Sequence, residues 1–436
     1  MKKTRAARII AGLLALGLVA AACGDDGGDS QTTSTTAKPA ATGTTGSSSG
    51  STGAATGCKD GAAPLKIGGL AQAQNFAGME DGIKAVVEKA NKTCIGGRKL
   101  EFVGLKDDGS DPQKNLDAAK QLVESDKVFA VIATSAVLLP ATTDYLNSKK
   151  VPFFGWGFMP GFCGKDSWGY GFNGCLSGFA LKTSTKTNGS LSEPVAKFLK
   201  KDADKMTLVI FNSDDDAGKF GDLQYSALFS KAQVLAKMNV PVQGAGDYTQ
   251  FVNKVKETNP DAVMVSTDFV SGIKMKAALA AAGYKGIVYD YVTYIPGLLD
   301  SSKDTAAALE GGYSVTQFPA NEDNTAAIKQ ITDDLKASGS KLPFATQGAS
   351  IGYWSTELLR QMLVATAAKG DITSDNFRKV VEGGFESTVV AGGLGKIKFP
   401  DGHLDPVPCA GVVQVKGGKY VTAVPFACYN LLAAKS

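Results

Sequence analysis

Short apolar runs alternate with helical patterns through most of this chain, and that alternation constrains its fold more than any other feature. LKIGGL (65–70) precedes a helix containing Ile83, Val86, Val87 and Ala90, and KLEFVGL (99–105) precedes another. The second helix has a marked start. Asp111 suits the N-cap, Pro112 the first helical position, and Leu116, Ala119, Leu122 and Val123 form an apolar face. VFAVIAT (128–134) and VPFFGWG (151–157) continue the strands on either side of a helix at 140–148. Strand, helix and strand in repetition predict an α/β fold with a parallel sheet.

A second series follows the loop-rich stretch 161–189. MTLVIFN (206–212), VPVQGAG (240–246), AVMVST (262–267) and GIVYDYV (286–292) read as strands, with helices near 218–238, 249–257 and 272–283 between them. GGYSVTQF (311–318) is a further strand. Helices near 323–338, 350–369 and 374–382 then return to the first series, and VVQVKGGKYVTAV closes as a hairpin around Gly417-Gly418. From Cys58 to Ser436 the chain is longer than one core usually holds, so two lobes are expected.

The N-terminal segment reads differently. Lys2, Lys3, Arg5 and Arg8 precede an apolar and small-residue run from Ile9 to Ala22, which is the layout of a secretory signal over residues 1–22. The run is shorter than the ~20 residues that a membrane span needs. Cys23 directly after Ala20-Ala21-Ala22 resembles a bacterial lipobox, although Ala20 stands where that motif prefers Leu or Val. Residues 24–57 are dominated by Ser, Thr, Gly, Ala and Asp and cannot bury a core. As a flexible coil, the 23–57 segment would reach roughly 30 to 35 Å, a tether for whatever Cys23 anchors.

Charge argues against a nucleic-acid partner. Lys plus Arg is 46 against 42 Asp plus Glu, and the four basic residues of the signal account for the whole excess. Six cysteines remain beside Cys23, and no CxxC or Cys/His spacing suggests a metal. Partners close in sequence are expected: Cys58 with Cys94, Cys163 with Cys175, and Cys409 with Cys428, the last pair set nearly opposite each other by the hairpin. Disulfides would suit an oxidising, exported location.

DGIKAVVEKAN (81–91), LKDDGSDPQKNLDAAKQLV (105–123), TSAVLLPAT (134–142) and KAALAAAGYKG (276–286) together resemble the type I periplasmic binding proteins of the leucine/isoleucine/valine-binding class. By order of elements the resemblance covers roughly residues 64 to 425. It implies two Rossmann-like lobes hinged by three crossovers, 64–175 with 319–405 and 176–318 with 406–436. It also implies a monomer without cofactor or catalysis, which binds a small organic solute between its lobes for the permease of an ABC importer. The default ligand is a branched-chain amino acid, with apolar or aromatic carboxylates and amides close behind. A receptor subunit that senses the ligand is the alternative in the same fold.

Ligands of open parallel sheets sit beyond the carboxyl ends of strands. Thr134 and Ser135 follow VFAVIA there, and Ser135 falls where the family uses a serine against the ligand's carboxylate. Trp156 and Phe158 occupy the next loop, where amino-acid binders of the class place a small residue and a threonine. Large aromatic side chains there suit an apolar or planar ligand. The family's second-lobe aromatic position is Ala217, and the carboxylate that grips an ammonium aligns near Val292, leaving Asp268 and Asp290 as substitutes. Tyr353 aligns with a cleft tyrosine, and Phe76 in the first loop completes the set.

A hydrolase is the rival class. Gly348-Ala349-Ser350-Ile351-Gly352 matches the GxSxG nucleophile elbow and precedes Asp371 and His403 in hydrolase order. An elbow needs a buried strand directly before it, and KLPFATQ is not continuously apolar. Small residues at a helix start are the expected explanation.

Overall fold

A computed structural model describes residues 57–433, save 177–180, 183, 189–192, 203–204, 216–217, 219–232, 296 and 389–391. The signal, Cys23 and nearly all of the linker, as well as Ala217, lie outside the described residues.

Two sheets form the body. The first has five strands in the order β2-β1-β3-β4-β5: β1 Leu65–Ala71, β2 Leu100–Asp107, β3 Ala130–Thr134, β4 Phe153–Gly155 and β5 Gly169–Gly171. Every pair in it is parallel. The helices between them are α1 Met79–Asn91, α2 Pro112–Lys120 and α3 Pro140–Ser148. Asp111 caps α2 as expected, accepting from Gln113 N and Lys114 N, and a π-helical turn at Gln121–Ser125 prolongs it. Alternate side chains along the strands explain the two coverings. Leu70, Val131, Ala133 and Phe153 pack with Ala119 and Leu122, whereas Ile67, Ile132 and Phe154 pack with α1 and a later helix, α7.

The second sheet has seven strands in the order β12-β11-β10-β9-β8-β6-β7: β6 Thr207–Ser213, β7 Gln233–Val240, β8 Ala262–Ser266, β9 Ile287–Asp290, β10 Tyr313–Thr316, β11 Cys409–Lys416 and β12 Lys419–Cys428. It is parallel from β7 to β10, and the terminal hairpin adds two antiparallel strands. Helices α4 Thr249–Thr258 and α5 Phe269–Ala281 cover one face. The chain then passes back to the first lobe as α6 Ala326–Ala337, α7 Gln347–Ala367 and α8 Ser374–Glu382. Lys186–Asn188 pairs with Leu431–Ala433 in a small separate sheet.

One stretch departs from expectation. VPVQGAG is not a strand; the strand is Gln233–Val240, where the last part of a helix was expected. Pro241 has no N–H for the ladder and Gly244 stands at φ +99°, so the chain turns there. Gln-Val-Leu-Ala-Lys-Met is rich in helix formers, but as the edge of the sheet it alternates exposed and half-buried positions with the period of a strand. The rest of that expected helix, 219–232, lies outside the described residues.

The three disulfides are Cys58–Cys94, Cys163–Cys175 and Cys409–Cys428, the pairings expected of sequence neighbours. Cys409 stands directly opposite Cys428 in the hairpin register.

Candidate functional site

The carboxyl ends of the first sheet's strands carry most of the expected ligand residues. After β1, Asn75 N and Phe76 N both donate to Gln72 O, a turn that folds Phe76 inward until it is 9 % exposed. Gly78 at φ +89° then starts α1. Gln72 Oε1 accepts from Ala136 N at 3.4 Å, which joins this loop to the one after β3. Thr134 ends β3 and is buried, and its Oγ1 has no hydrogen-bond partner among the described residues. Ser135 Oγ accepts from Val137 N at 3.1 Å and so serves as a local cap.

Trp156 follows β4. Its ring meets Phe158 edge-on with centroids 5.3 Å apart, and Phe318 from the other lobe's chain segment at 6.5 Å. Its indole N–H donates to Gln317 Oε1. Gln317 and Phe318 come directly after β10, so this aromatic corner joins the ends of both sheets. Gln347, the first residue of α7, donates to Tyr291 O at 3.3 Å, a second link between the lobes.

The two carboxylates at second-lobe strand ends are already engaged. Asp268 caps α5, with Oδ1 accepting from Val270 N and Ser271 N and Oδ2 from Gln243 N and Ser271 Oγ. Asp290 is completely buried; it accepts from Val292 N and Thr293 N, both at 2.9 Å, and pairs with the equally buried Lys276 at 2.6 Å. Burial pulls the Lys276 ammonium below its ordinary range, and the Asp290 charge and hydrogen bond oppose that shift.

Tyr353 stands apart from this group. It lies between helices of the first lobe, where its hydroxyl donates to Asp334 Oδ2 (2.6 Å) and receives Gln330 Nε2 and Lys89 Nζ. Burial first, and then the bond to Asp334, raises the phenol's pKa. Ser350 is buried in the first turn of α7, preceded by a loop, so the GxSxG match has no strand-borne elbow. His403 is buried against Tyr170 and Phe399, with Nε2 2.9 Å from Glu382 Oε1 rather than turned to Asp371. Among the described residues no cluster of three or more His, Cys, Asp or Glu could hold a metal ion, and no helix is long and apolar enough to cross a membrane.

Sequence reasoning missed Gln72, Asn173, Tyr291, Gln317, Phe318 and Gln347. Several of them directly follow a strand or open a helix, so the rule that picked out Ser135 and Trp156 would have found them had it been applied to every strand.

The family model for the periplasmic binding protein matches residues 65–419. The chain belongs to that family. Solved structures share this binding protein's fold. One is a solute binding protein of an ABC transporter from Rhodopseudomonas palustris BisB5 in complex with 3,4-dihydroxybenzoic acid, 19% identical with a TM-score of 0.62 over 85% of this chain and 98% of that one. Another is a branched-chain amino acid transporter substrate binding protein from Streptococcus pneumoniae in complex with isoleucine, 16% identical with a TM-score of 0.62 over 84% and 100%. A third, an ABC transporter substrate-binding protein from Sphaerobacter thermophilus, is 16% identical with a TM-score of 0.66 over 84% and 98%. No curated protein matches this binding protein by sequence.

Proposed function

We propose that this protein captures a small apolar or aromatic carboxylate or amide between its lobes and presents it to the permease subunits of an ABC importer. The observation that carries the ligand class is the engagement of Asp268 and Asp290. One caps a helix and the other is neutralised by Lys276, so an α-ammonium would meet no available carboxylate from either. Burying such a charge unpaired is costly. The aromatic corner of Trp156, Phe158 and Phe318 suits a planar ligand instead. Relatives in complex with benzoate and with 4-hydroxybenzoate support the same class. Ligand binding itself involves no covalent step; contacts to both lobes supply the free energy that favours a closed form.

The lobes in this reading are 64–175 with 319–405 and 176–318 with 406–436, and Phe76, Thr134, Ser135, Trp156 and Phe158 are the first lobe's contribution to the ligand. The protein is exported, loses residues 1–22, and is held at the outer face of the cytoplasmic membrane by a lipid on Cys23, with 24–57 as tether.

Mass spectrometry of membrane-extracted protein under native conditions tests both parts. The mass should begin at Cys23 with a lipid adduct, and a small organic molecule should co-purify and leave on gentle activation. Trp156→Ala should retain the lipid and lose the small molecule. A small molecule kept by both Trp156→Ala and Ser135→Ala would place the ligand elsewhere, and an unlipidated mature protein would remove the anchor.

A further inference from the structure

The lobe junction contains an amide whose orientation follows from its neighbours. The backbone N–H of Gly157 donates to Asn173 Oδ1 at 2.9 Å, and a backbone nitrogen can only donate, so the atom it faces is the oxygen. Asn173 Nδ2 is therefore a donor, and it stands 2.9 Å from Gln317 Oε1. The Trp156 indole N–H, which also can only donate, meets the same Gln317 atom. Two obligate donors on one atom make it the carbonyl. Turning the amide over would set its NH2 against both donors, so the Gln317 NH2 must face away from Trp156 and Asn173. Gln317 is 4 % exposed, and the hydrogen bonds it makes among the described residues all run to Oε1 and none to the NH2. The NH2 nitrogen is not among the buried side-chain atoms left unpaired, so it keeps access to solvent, and an acceptor arriving with a ligand would take the place of that solvent.

We infer that Gln317 is a specificity-determining residue: its NH2 donates to an acceptor oxygen of the bound solute, a carboxylate or an amide carbonyl, and rejects an ammonium group. This inference rests on the proposal that the solute lies between the lobes beside Trp156. Gln317 is placed to read both lobes. It follows β10 in the second sheet, whereas the residues that orient it follow β4 and β5 in the first.

Gln317→Glu tests the assignment with little change of shape. One carboxylate oxygen still accepts from Trp156 and Asn173, while the other replaces the NH2 and turns a donor into a charged acceptor. The mature protein, freed of bound ligand, would be titrated calorimetrically at pH 8 with benzoate and with benzylammonium. Wild type should bind benzoate and not benzylammonium. In Gln317→Glu benzoate should weaken by about 100-fold, and benzylammonium should strengthen by about tenfold or more. A purely structural role would shift both probes in the same direction, and that result would overturn the inference. So would benzoate binding that the substitution leaves unchanged, without touching the proposed ligand class.

If wild type binds leucine rather than benzoate, the ligand class is wrong, and leucine's own carboxylate decides the role of Gln317. Leucine weakened about tenfold or more in Gln317→Glu supports the role; leucine unchanged rejects it. A wild type that binds none of the three probes overturns both readings.

Discussion

Asp290 ends its strand and Asp268 stands two residues beyond another, and each is already committed to the protein. Asp290 accepts two backbone N–H groups of the Asp290–Thr293 turn, and Lys276 bonds Thr293 Oγ1 and Tyr313 O besides the carboxylate. Removing one partner of such a pair leaves a buried charge alone, which typically costs about 3–5 kcal/mol. Lys276→Met should therefore destabilise the protein by about that much in urea denaturation, with the second change Asp290→Asn recovering part of it. A loss below about 1 kcal/mol would mean that Asp290 is satisfied without Lys276, and the carboxylate would again be open to a ligand. The sequence offered Asp290 as a substitute carboxylate for a ligand ammonium; its partner, fourteen positions earlier on α5, is legible only once helix and strand are packed together. Tyr353 shows the converse. Alignment with a cleft tyrosine could not reveal that the turn it occupies faces Asp334 and Lys89.

The helices of the first lobe show what the GxSxG match stands for. A Cβ on Gly82 of α1 would come within 2.0 Å of Ala349 O, one on Gly348 within 2.1 Å of Phe76 O, and one on Gly352 within 2.2 Å of Met79 O. These glycines let α1 and α7 lie backbone against backbone, so the spacing serves helix packing. Gly82→Ala should separate the two helices and destabilise the protein by about 1–3 kcal/mol, measured as a lower urea midpoint. An unchanged or raised midpoint, as alanine would produce at an open helical site, would contradict this packing. Elements with strong periodicity or clear caps were readable in advance: β1 to β4, α2 behind Asp111-Pro112, and the hairpin around Gly417-Gly418. Strand β7 was not, because its residues favour a helix in isolation and only its place at the sheet edge makes them a strand. Strand β5, three residues with two glycines, carries too short a pattern to be seen at all.

Across the whole molecule the two sheets share one apolar cluster. Ile67, Ile132 and Phe154 of the first belong to the same packed group as Leu208, Ile210 and Met264 of the second, with Trp156, Tyr291 and Phe318 among its members. The chain passes from one sheet to the other between β5 and β6, between β10 and α6, and between α8 and β11. Where two of these passages meet, Gly174 bridges Pro406 and Val407 N donates to Asn173 O. A ligand at the aromatic corner would thus lie close to two of the connections between the sheets, and its contacts to both sides would be felt as stability. The central claim is that this ligand is an apolar or aromatic acid or amide and not a zwitterion, and thermal melting of ligand-free protein tests it directly. At about 100 times its dissociation constant a true ligand adds roughly 2.7 kcal/mol. Benzoate or 4-hydroxybenzoate should raise the melting temperature more than leucine or valine, with the rise diminished in Trp156→Ala. Strong stabilisation by leucine that survives Trp156→Ala and disappears in Asp268→Asn or Asp290→Asn would contradict it.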